Sequence, residues 1–305
     1  MANPIVTSIK GYVDQEANKE HLIASTVLGA KSASLFTLQT GVKGPTAINL
    51  LSTDIVFGDG SVCGFEDAGA STISQRQITP AVMKVNMGFC DRNLLQTFAQ
   101  YQVKLQAGLE TMPFEEQFTS DIVKNVKNKL EKIIWQGDKE KEPTHFDGIL
   151  KIAEKADAPT LTGKTFSSAW DAVKAVYAGL PEAAHDDDTA IFVAASVFRA
   201  LVQELVEKNL YHYKESDETM SITLPGTNVT VYGVTGLDPG AEGVPYNIFA
   251  SRLSNLFYGT DLSGSEEEFK IVYDEVQEQF LLKILFSAGV QIAFPDLTLR
   301  TNYTV

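Results

Sequence analysis

Cysteine is almost absent from this chain of 305 residues, which has only Cys63 and Cys90. Two cysteines cannot supply the disulfide framework that stabilises small secreted domains, and their spacing is not that of a metal site. The four histidines are scattered over different predicted elements, without the spacing of metal ligands. We therefore expect two reduced structural thiols and no metal site.

A long apolar run is also lacking. No segment approaches the roughly 18 uncharged apolar residues that a membrane-spanning helix requires. Residues 1–4 lack the basic and apolar stretches of a signal peptide. We expect a protein that is made and used without crossing a membrane. With 44% hydrophobic and 21% charged residues, the chain can bury the core of one large domain or of two interlocked domains.

Basic charge is scarce, because 25 lysines and arginines face 39 acidic residues and the formal net charge is -14. The imbalance is uneven: residues 1–100 carry 7 basic and 8 acidic side chains, residues 101–165 carry 10 and 11, and residues 166–305 carry 8 and 20. Negative charge repels phosphate, so a module that reads DNA or RNA sequence is not expected. A container that encloses nucleic acid without binding it tightly remains compatible with this negative charge.

Familiar catalytic motifs are missing as well. The chain has no G-x-S-x-G elbow and no phosphate-binding loop, and Gly163-Lys164-Thr165 lacks the upstream glycine and strand, so it reads as a linker. Asp186-Asp187-Asp188 beside His185 invites a metal-site interpretation, but three adjacent carboxylates before a strand are more typical of a solvated loop tip. We expect no catalytic, cofactor-binding or metal-binding residue and no cofactor. The alternative is a mixed α/β hydrolase whose site is this cluster.

The strongest positive feature is an amphipathic helix predicted over residues 113–136. Its apolar stripe consists of an i+4 ridge with two flanking positions: Phe118, Ile122, Val126, Leu130 and Ile134, with Val123 and Ile133. Four lysines fall mostly on the other side: Lys124, Lys127, Lys129 and Lys132. Pro113 suits the first turn, after a cap at Thr111 or Met112, and Gly137 is expected to end the helix in the left-handed conformation.

The first 90 residues lack the apolar content of an independent core. Residues 1 to about 35 contain only a weak helical stretch at 14–24 and no self-sufficient apolar face, so we interpret them as an arm. From residue 35 to 89, strand-like runs alternate with glycines: 47–51, 54–57, a turn at 58–60, and 72–85. This pattern predicts a long hairpin, whose stability is marginal unless another surface covers it.

The rest of the chain alternates helices and strands after a polar break at 140–143 and a linker at 156–165, where we place a domain boundary. The predicted elements are a helix capped by Ser167 or Ser168 and ended at 179–181, a strand at 189–195, a helix at 196–208, strands at 220–224, 229–233 and 246–250, and an antiparallel meander of 269–276, 280–286 and 290–294. Trp135 and Trp170 lie on apolar helix sides, where we expect packed rings whose indole N–H finds one acceptor.

The order of these parts carries a family resemblance. The helix end Trp135-Gln136-Gly137-Asp138, followed by Phe146-Asp147-Gly148-Ile149, resembles the spine helix of the tailed-bacteriophage major capsid proteins. Residues 188–196 with the helix up to Tyr211 resemble the strand and helix of that family's axial domain. Residues 224–232 and 280–295 are similar to its axial hairpin and last peripheral strands. The resemblance covers essentially the whole chain.

This resemblance implies an α+β protein with the Hong Kong 97-type shell fold. The implied parts are an N-terminal arm (1–34), an extended hairpin (35–90), a peripheral domain (91–165 plus 265–305) with the spine helix 113–136, and an axial domain (166–264). The implied function is structural rather than enzymatic: hexamers and pentamers of the chain build the icosahedral shell of a virion around double-stranded DNA, without sequence-specific binding. Encapsulin-like nanocompartments have the same shell fold and are the alternative.

The resemblance also implies where copies touch. Hairpin residues 43–87 should lie over a neighbouring subunit, the arm should reach under another, and the loop 236–245 should approach a symmetry axis. The spine-helix lysines are expected to face the lumen. Scaffolding, portal and decoration proteins are expected to be separate partners, and the subunit is expected not to be cut during maturation.

Two further sets of residues take their interpretation from the resemblance. Some shells of this family harden through an isopeptide bond from a hairpin lysine to a neighbour's asparagine, for which Lys43 and Lys84 are the candidates here. Arg252, Asn255 and Tyr258, next to residues 259–261, could be mistaken for a polar active site. They are expected instead to form the folded junction where the chain crosses back to the peripheral domain.

Overall fold

The computed structural model describes residues 11–13, 15–57, 61, 70–90, 96–97, 100, 114–210, 220–239, 244–261 and 268–303. The helices are α1 (Glu16–Leu28), α2 (Lys31–Leu35), α3 (Phe114–Gln136), α4 (Ile149–Lys155), α5 (Ala169–Gly179) and α6 (Ala195–Glu207). The strands are β1 (Thr37–Thr40), β2 (Thr46–Asp54), β3 (Ala70–Ile78), β4 (Ala81–Cys90), β5 (Thr160–Leu161), β6 (Thr189–Ala194), β7 (Ser221–Thr223), β8 (Thr230–Val234), β9 (Tyr246–Arg252), β10 (Leu256–Thr260), β11 (Glu268–Asp274), β12 (Gln279–Ile292) and β13 (Leu299–Tyr303). The predicted α+β class is confirmed, and within the described ranges no helix is long and apolar enough to span a membrane.

A six-stranded sheet has the order β5-β13-β9-β6-β8-β7. Every residue of β6 is buried, which is why its sequence after Thr189 is a continuous apolar run rather than an alternating one. The strand β13, near the chain end, pairs with β9, which belongs to the segment 166–264. This pairing differs from the predicted grouping of 265–305 with the peripheral domain, and the division into domains stays a prediction.

A five-stranded sheet is organised around β12, which pairs with β4, β10 and β11. The predicted meander is wrong in one respect, because residues 280–286 and 290–294 do not form two strands. A single strand runs through Ser287, Ala288 and Gly289, all of which are buried. At Gly289 a Cβ atom would lie 3.0 Å from Pro80 Cα, so a small residue here reflects close backbone packing and not a turn.

The predicted hairpin is present as the two-stranded ribbon β2–β3, with Asp54 opposite Ala70. Its predicted turn at 58–60 lies outside the described residues. The predicted strand 72–85 is wrong as one element, because β3 ends at Ile78 and β4 begins at Ala81 in the five-stranded sheet. Pro80 stands at this break, where its missing N–H cannot extend a ladder.

Residues 16–35 of the predicted arm pack on the rest of the subunit, and the reach of the arm under another subunit stays a prediction. Helix α1 packs against α3 and β11, and it buries Leu22 and Val27. The Tyr258 hydroxyl donates a hydrogen bond of 2.9 Å to the Val27 carbonyl. The sequence pattern in this segment was weak because only a few of its side chains reach the core. Residues 1–10 lie outside the described ranges.

The predicted helix 113–136 is confirmed from Phe114 to Gln136, and its proposed cap and Pro113 lie outside the described residues. The expected left-handed stop at Gly137 is wrong, because the glycines with positive φ are Gly41, Gly163 and Gly226 in the described part of the chain. Gly137 is instead required by crowding. A Cβ atom would lie 2.4 Å from the Phe146 carbonyl oxygen, and the Gly148 N–H donates a hydrogen bond of 2.8 Å to the Gly137 carbonyl.

Replacing Gly137 tests this turn. We expect Gly137→Ala to lower the free energy of unfolding by about 1–3 kcal/mol, because the added methyl group forces the two backbone segments apart. Gly44→Ala is the matched control, since a Cβ atom at Gly44 meets nothing within 4 Å. Urea denaturation of both variants measures the difference. Equal stability of the two variants would contradict the crowding argument.

Candidate functional site

The hairpin carries exposed apolar side chains on one face. Leu51 of β2 lies directly opposite Ile73 of β3, and these residues are 62% and 76% exposed. The next pair along the same face is polar, with the Gln75 side-chain amide donating to Asn49 Oδ1 at 2.8 Å. Cross-strand neighbours of this kind normally pack under a covering surface. The Leu51–Ile73 pair therefore marks a candidate interaction surface.

The apolar surface continues beyond the end of β2. Ile55, Val56 and Phe57 are all exposed, and Phe57 retains 95% of its accessible surface. Large exposed apolar patches on a folded chain mark protein interaction sites more often than chance allows. We call Leu51, Ile55, Val56, Phe57 and Ile73 the hairpin patch.

The other face of the ribbon is anchored at its root by a small core of its own. That core contains Val42, Ile48, Leu50, Ile78 and Ala293, and Phe257 and Phe294 pack against it. The Val42 N–H donates to the Thr260 carbonyl at 3.2 Å, and the Gln291 side chain donates to the Gln77 carbonyl. These contacts hold the root of the ribbon against the five-stranded sheet and leave the hairpin patch outside the subunit core.

The two candidate cross-linking lysines lie in different settings. Lys43, beside the ribbon root, has its Nζ 3.9 Å from Oδ2 of Asp261, which is buried. Neither carboxylate oxygen of Asp261 accepts a hydrogen bond within the described part of the chain. Lys84 is exposed on β4 opposite Leu285. A bond to another subunit stays a prediction; covalent ladders of assembled protein on a denaturing gel would support it, and a clean single band would end it.

The predicted polar face of α3 is confirmed. Lys124, Lys129 and Lys132 are exposed, and Lys127 is half-buried. Asp121 is the one exposed acidic residue within 121–136. This surface is therefore locally positive in a chain of strongly negative net charge.

The cluster suggested for a hydrolase does not converge on a shared point. Asp186 lies 3.5 Å from Arg252 Nη2, Asp187 accepts from Asn228 at 3.4 Å, and Asp188 accepts from the Ser254 N–H at 3.0 Å. The His185 ring instead packs edge-on against Tyr177. Searching the described residues finds no group of three or more side chains that could hold a metal ion. Each of these carboxylates has its own loop or strand partner.

The other residues singled out from the sequence lie in structural settings. Asn255 is buried, and its side-chain amide donates to Ser251 and to the Phe294 carbonyl while its oxygen accepts from the Phe294 N–H. It stands where β9 of one sheet leads into β10 of the other. Ser168 caps α5 by accepting from the Asp171 N–H, as predicted. Trp170 is only partly buried, with Lys174 Nζ 5.6 Å from its ring centre.

The loop expected at a symmetry axis begins inside the subunit. Gly236 and Leu237 are buried, and the Gln136 side chain donates to the carbonyls of Gly236 and Asp238. Residues 240–243 lie outside the described ranges, and Val244 is 48% exposed. The first residues of this loop therefore serve packing against α3, and the approach of its end to an axis stays a prediction.

A buried polar group centred on Glu131 was missed by the sequence analysis. The Ser32 hydroxyl donates to Glu131 Oε1 at 2.5 Å and the Ser32 N–H donates to Oε2 at 3.0 Å. The fully buried Trp135 donates its indole N–H to Ser32 Oγ at 2.7 Å, which confirms the expected single acceptor. The available signal was position, since Glu131 falls between Lys127 and Trp135 on an i+4 row that starts at the buried Val123.

Burial shifts the ionisation of this group. Burial raises the pKa of Glu131, against the opposing effects of the Ser32 hydrogen bonds, the Trp135 indole and the nearby Lys31 charge. Burial likewise lowers the pKa of Lys31, against the attraction of Glu131. Each residue compensates part of the other's desolvation.

Comparison with known proteins was informative only at the level of structure. No family model matches the chain, and no curated protein matches it in sequence. A chain in the satellite phage P4 procapsid, a structure that includes the size determination (Sid) protein, matches with a TM-score of 0.60 at 10% identity. That match covers 94% of this chain and 100% of the other. A chain of Gordonia phage Cozz matches with a TM-score of 0.58 at 10% identity, covering 90% and 86%.

An encapsulin is also similar. The holo-SrpI encapsulin complex from Synechococcus elongatus PCC 7942 matches with a TM-score of 0.51 at 8% identity, covering 88% of this chain and 85% of the other. The capsid of an empty GTA particle matches with a TM-score of 0.55 at 9% identity, covering 92% and 90%. At such identities the likeness is one of fold, and it extends over about nine-tenths of the chain. The chain therefore has the Hong Kong 97-like shell fold that phage capsid, GTA capsid and encapsulin chains share.

Proposed function

We propose that this chain is a major capsid protein, whose copies assemble as hexamers and pentamers into the icosahedral shell of a tailed phage. The observation that carries the proposal is the hairpin patch, which lies outside the subunit core on a ribbon whose root has a small apolar core of its own. The fold adds support, since the similar chains include several from phage particles. The protein is in this view structural and not an enzyme.

The physical basis of assembly is heterologous contact. The hairpin patch of one copy differs from the surface that it covers on the next copy. Each subunit therefore covers one neighbour and is covered by another, and subunits related in this way by a constant rotation close into a ring. Burying apolar surface contributes roughly 25 cal/mol per Å². The exposed patch is thus unfavourable in free energy for the isolated subunit, and its burial stabilises the shell. The hairpin residues 43–87 would lie over the neighbouring subunit.

The contents and partners follow from the same proposal. The shell encloses double-stranded DNA without reading its sequence, in keeping with a net charge of -14. We place the exposed lysines of α3 on the lumen side, where they offset some phosphate charge. Scaffolding, portal and decoration proteins are separate partners, and the chain belongs to the virion after assembly in the host cytoplasm.

An encapsulin-like nanocompartment shell is the second candidate, because an encapsulin chain shares the fold over 88% of this chain. The two functions differ in cargo. A phage shell holds nuclease-protected DNA, whereas a nanocompartment encloses protein. The hydrolase alternative has no such support, since its proposed carboxylates do not converge.

Electron microscopy of the purified protein tests the proposal. Negative staining should reveal closed particles, and light scattering should give masses of megadaltons. Nucleic acid recovered after nuclease treatment of particles from the native source separates a phage shell from a nanocompartment. A small oligomer at every concentration, with no closed particles, would contradict both shell functions.

The Leu51–Ile73 pair offers a direct mutational test. The double variant Leu51→Thr with Ile73→Thr removes apolar surface and introduces threonine, which suits a strand. It should lower the yield of particles on the order of tenfold. The subunit should remain folded, because both side chains are exposed. Asn49→Thr with Gln75→Thr is the matched control on the adjacent row of the same face, and it should assemble normally. Equal particle yields from the two double variants, measured by sedimentation, would count against the hairpin patch.

Deletion of residues 57–62 provides a second test. We expect this deletion at the hairpin tip to abolish assembly and to leave a soluble, folded monomer, because the ribbon root keeps its small core. Circular dichroism and size-exclusion chromatography measure folding and assembly separately. Normal particles from the deletion variant would show that the tip takes no part in assembly.

A further inference from the structure

Helix α2 stands at the meeting point of three parts of the molecule. It follows α1, which packs on α3, and it leads through Phe36 into β1 of the five-stranded sheet. Two consecutive residues of this short helix, Lys31 and Ser32, reach in different directions. One contacts the edge of the six-stranded sheet, and the other contacts α3.

Ser32 makes the contact with α3. Its N–H and hydroxyl both donate to the Glu131 carboxylate, and its oxygen accepts from the Trp135 indole. All three residues are buried, with exposures of 3% or less. The donors therefore run in one direction, from Trp135 through Ser32 to Glu131, and a buried network with every member satisfied specifies one arrangement.

Lys31 makes the contact with the six-stranded sheet. Its ammonium donates to the Gly233 carbonyl of β8 at 2.9 Å and to the Met220 carbonyl next to β7 at 3.2 Å. It also lies 5.7 Å from the centre of the Tyr232 ring. The positive charge of Lys31 also lowers the pKa of Glu131, in opposition to the larger effect of burial. The two contacts are thus made by adjacent residues of one short helix.

An aromatic cluster surrounds this point. The rings of Phe36 and Trp135 meet edge-on at 5.8 Å, and Trp135 packs at 4.9 Å from Phe192 and 5.7 Å from Phe249. Phe192 and Phe249 belong to β6 and β9 of the six-stranded sheet. Rings of this kind fix distance but tolerate sliding, whereas hydrogen bonds to defined atoms fix register and angle.

We propose that Lys31 and Ser32 form a clamp that, together with the Gln136 hydrogen bonds to Gly236 and Asp238, sets the angle between α3 and the six-stranded sheet, and that this angle determines the diameter of the assembled particle. The second half of the proposal rests on the shell function proposed above. In a shell of identical subunits, a small change of angle inside each subunit is repeated at every contact and changes curvature. Lys31 and Ser32 are positioning residues in this scheme, acting through Glu131 and the Gly233 carbonyl of β8.

The clamp makes a thermodynamic prediction for the isolated subunit. Ser32→Ala removes the side-chain contact with Glu131. Lys31→Met removes the hydrogen bonds to Gly233 and Met220 but keeps an unbranched apolar side chain. Each should lower Tm by about 2–6 °C. Because one short helix carries both contacts, the double variant should have a Tm only slightly below that of either single variant. Additive losses of Tm in this double-mutant cycle would overturn the clamp.

Particle diameter supplies the second readout. Electron microscopy of Ser32→Ala and Lys31→Met particles should show a shifted or broadened distribution of diameters, whereas Ser34→Ala, on the exposed side of the same helix, should match the wild type. Wild-type diameters for both clamp variants would overturn the link from angle to curvature. Failure of the wild-type chain to form particles would instead contradict the proposed shell function, and the double-mutant cycle would still decide the clamp.

Discussion

An apolar strand pair held outside the subunit core is the constraint on which the rest of this structure depends. Leu51 and Ile73 lie opposite each other on a ribbon whose other face is fastened to the five-stranded sheet by Ile48, Leu50 and Ile78. Fastening one face prevents the ribbon from turning to bury the other. In the shell function proposed above, a second copy of the chain supplies the missing cover.

One helix connects several parts of the subunit interior. Helix α3 contacts α1, α2 and α4 and the turn at Thr235–Leu237, and its last residues carry Trp135 into the aromatic cluster of the six-stranded sheet. Close backbone contact between Gly137 and Gly148 fixes the chain as it leaves the helix. The hairpin is thus held at its root by the five-stranded sheet, and α3 is held along its buried side by α1, α2, α4 and the turn at Thr235–Leu237.

The sequence was sufficient for elements with strong local signals. The apolar ridge of α3, the apolar run of β6 after Thr189 and the Ser168 cap were all predicted, because each depends on residues near one another in the chain. Long-range packing was not predictable in the same way. Gly137 is a glycine because the Phe146 backbone lies close to it, and not because its conformation is left-handed. Residues 287–289 looked like a break between strands because their packing partners, Pro80 and Thr260, lie far away in the sequence.

The candidate surface was predicted in part. The thin apolar content of residues 35–89 indicated a hairpin in need of cover, but the alternation that exposes Leu51 and Ile73 and buries Leu50 depends on which face meets Phe257 and Phe294. Glu131 was not singled out from the sequence, because only the fold brings Ser32 to it from 99 residues away. Its place on the i+4 row from Val123 to Trp135 was consistent with burial, but nothing in a single sequence indicates which distant polar residue is its partner.

Hydrogen exchange of the hairpin in assembled particles and in dissociated subunits tests the central claim most directly. We expect the amides of Thr46–Asp54 and Ala70–Ile78 to exchange much more slowly in particles, because a neighbouring copy would cover the ribbon there. Equal exchange rates in the two states would show that the ribbon has no covering partner, and the proposed basis of assembly would be wrong.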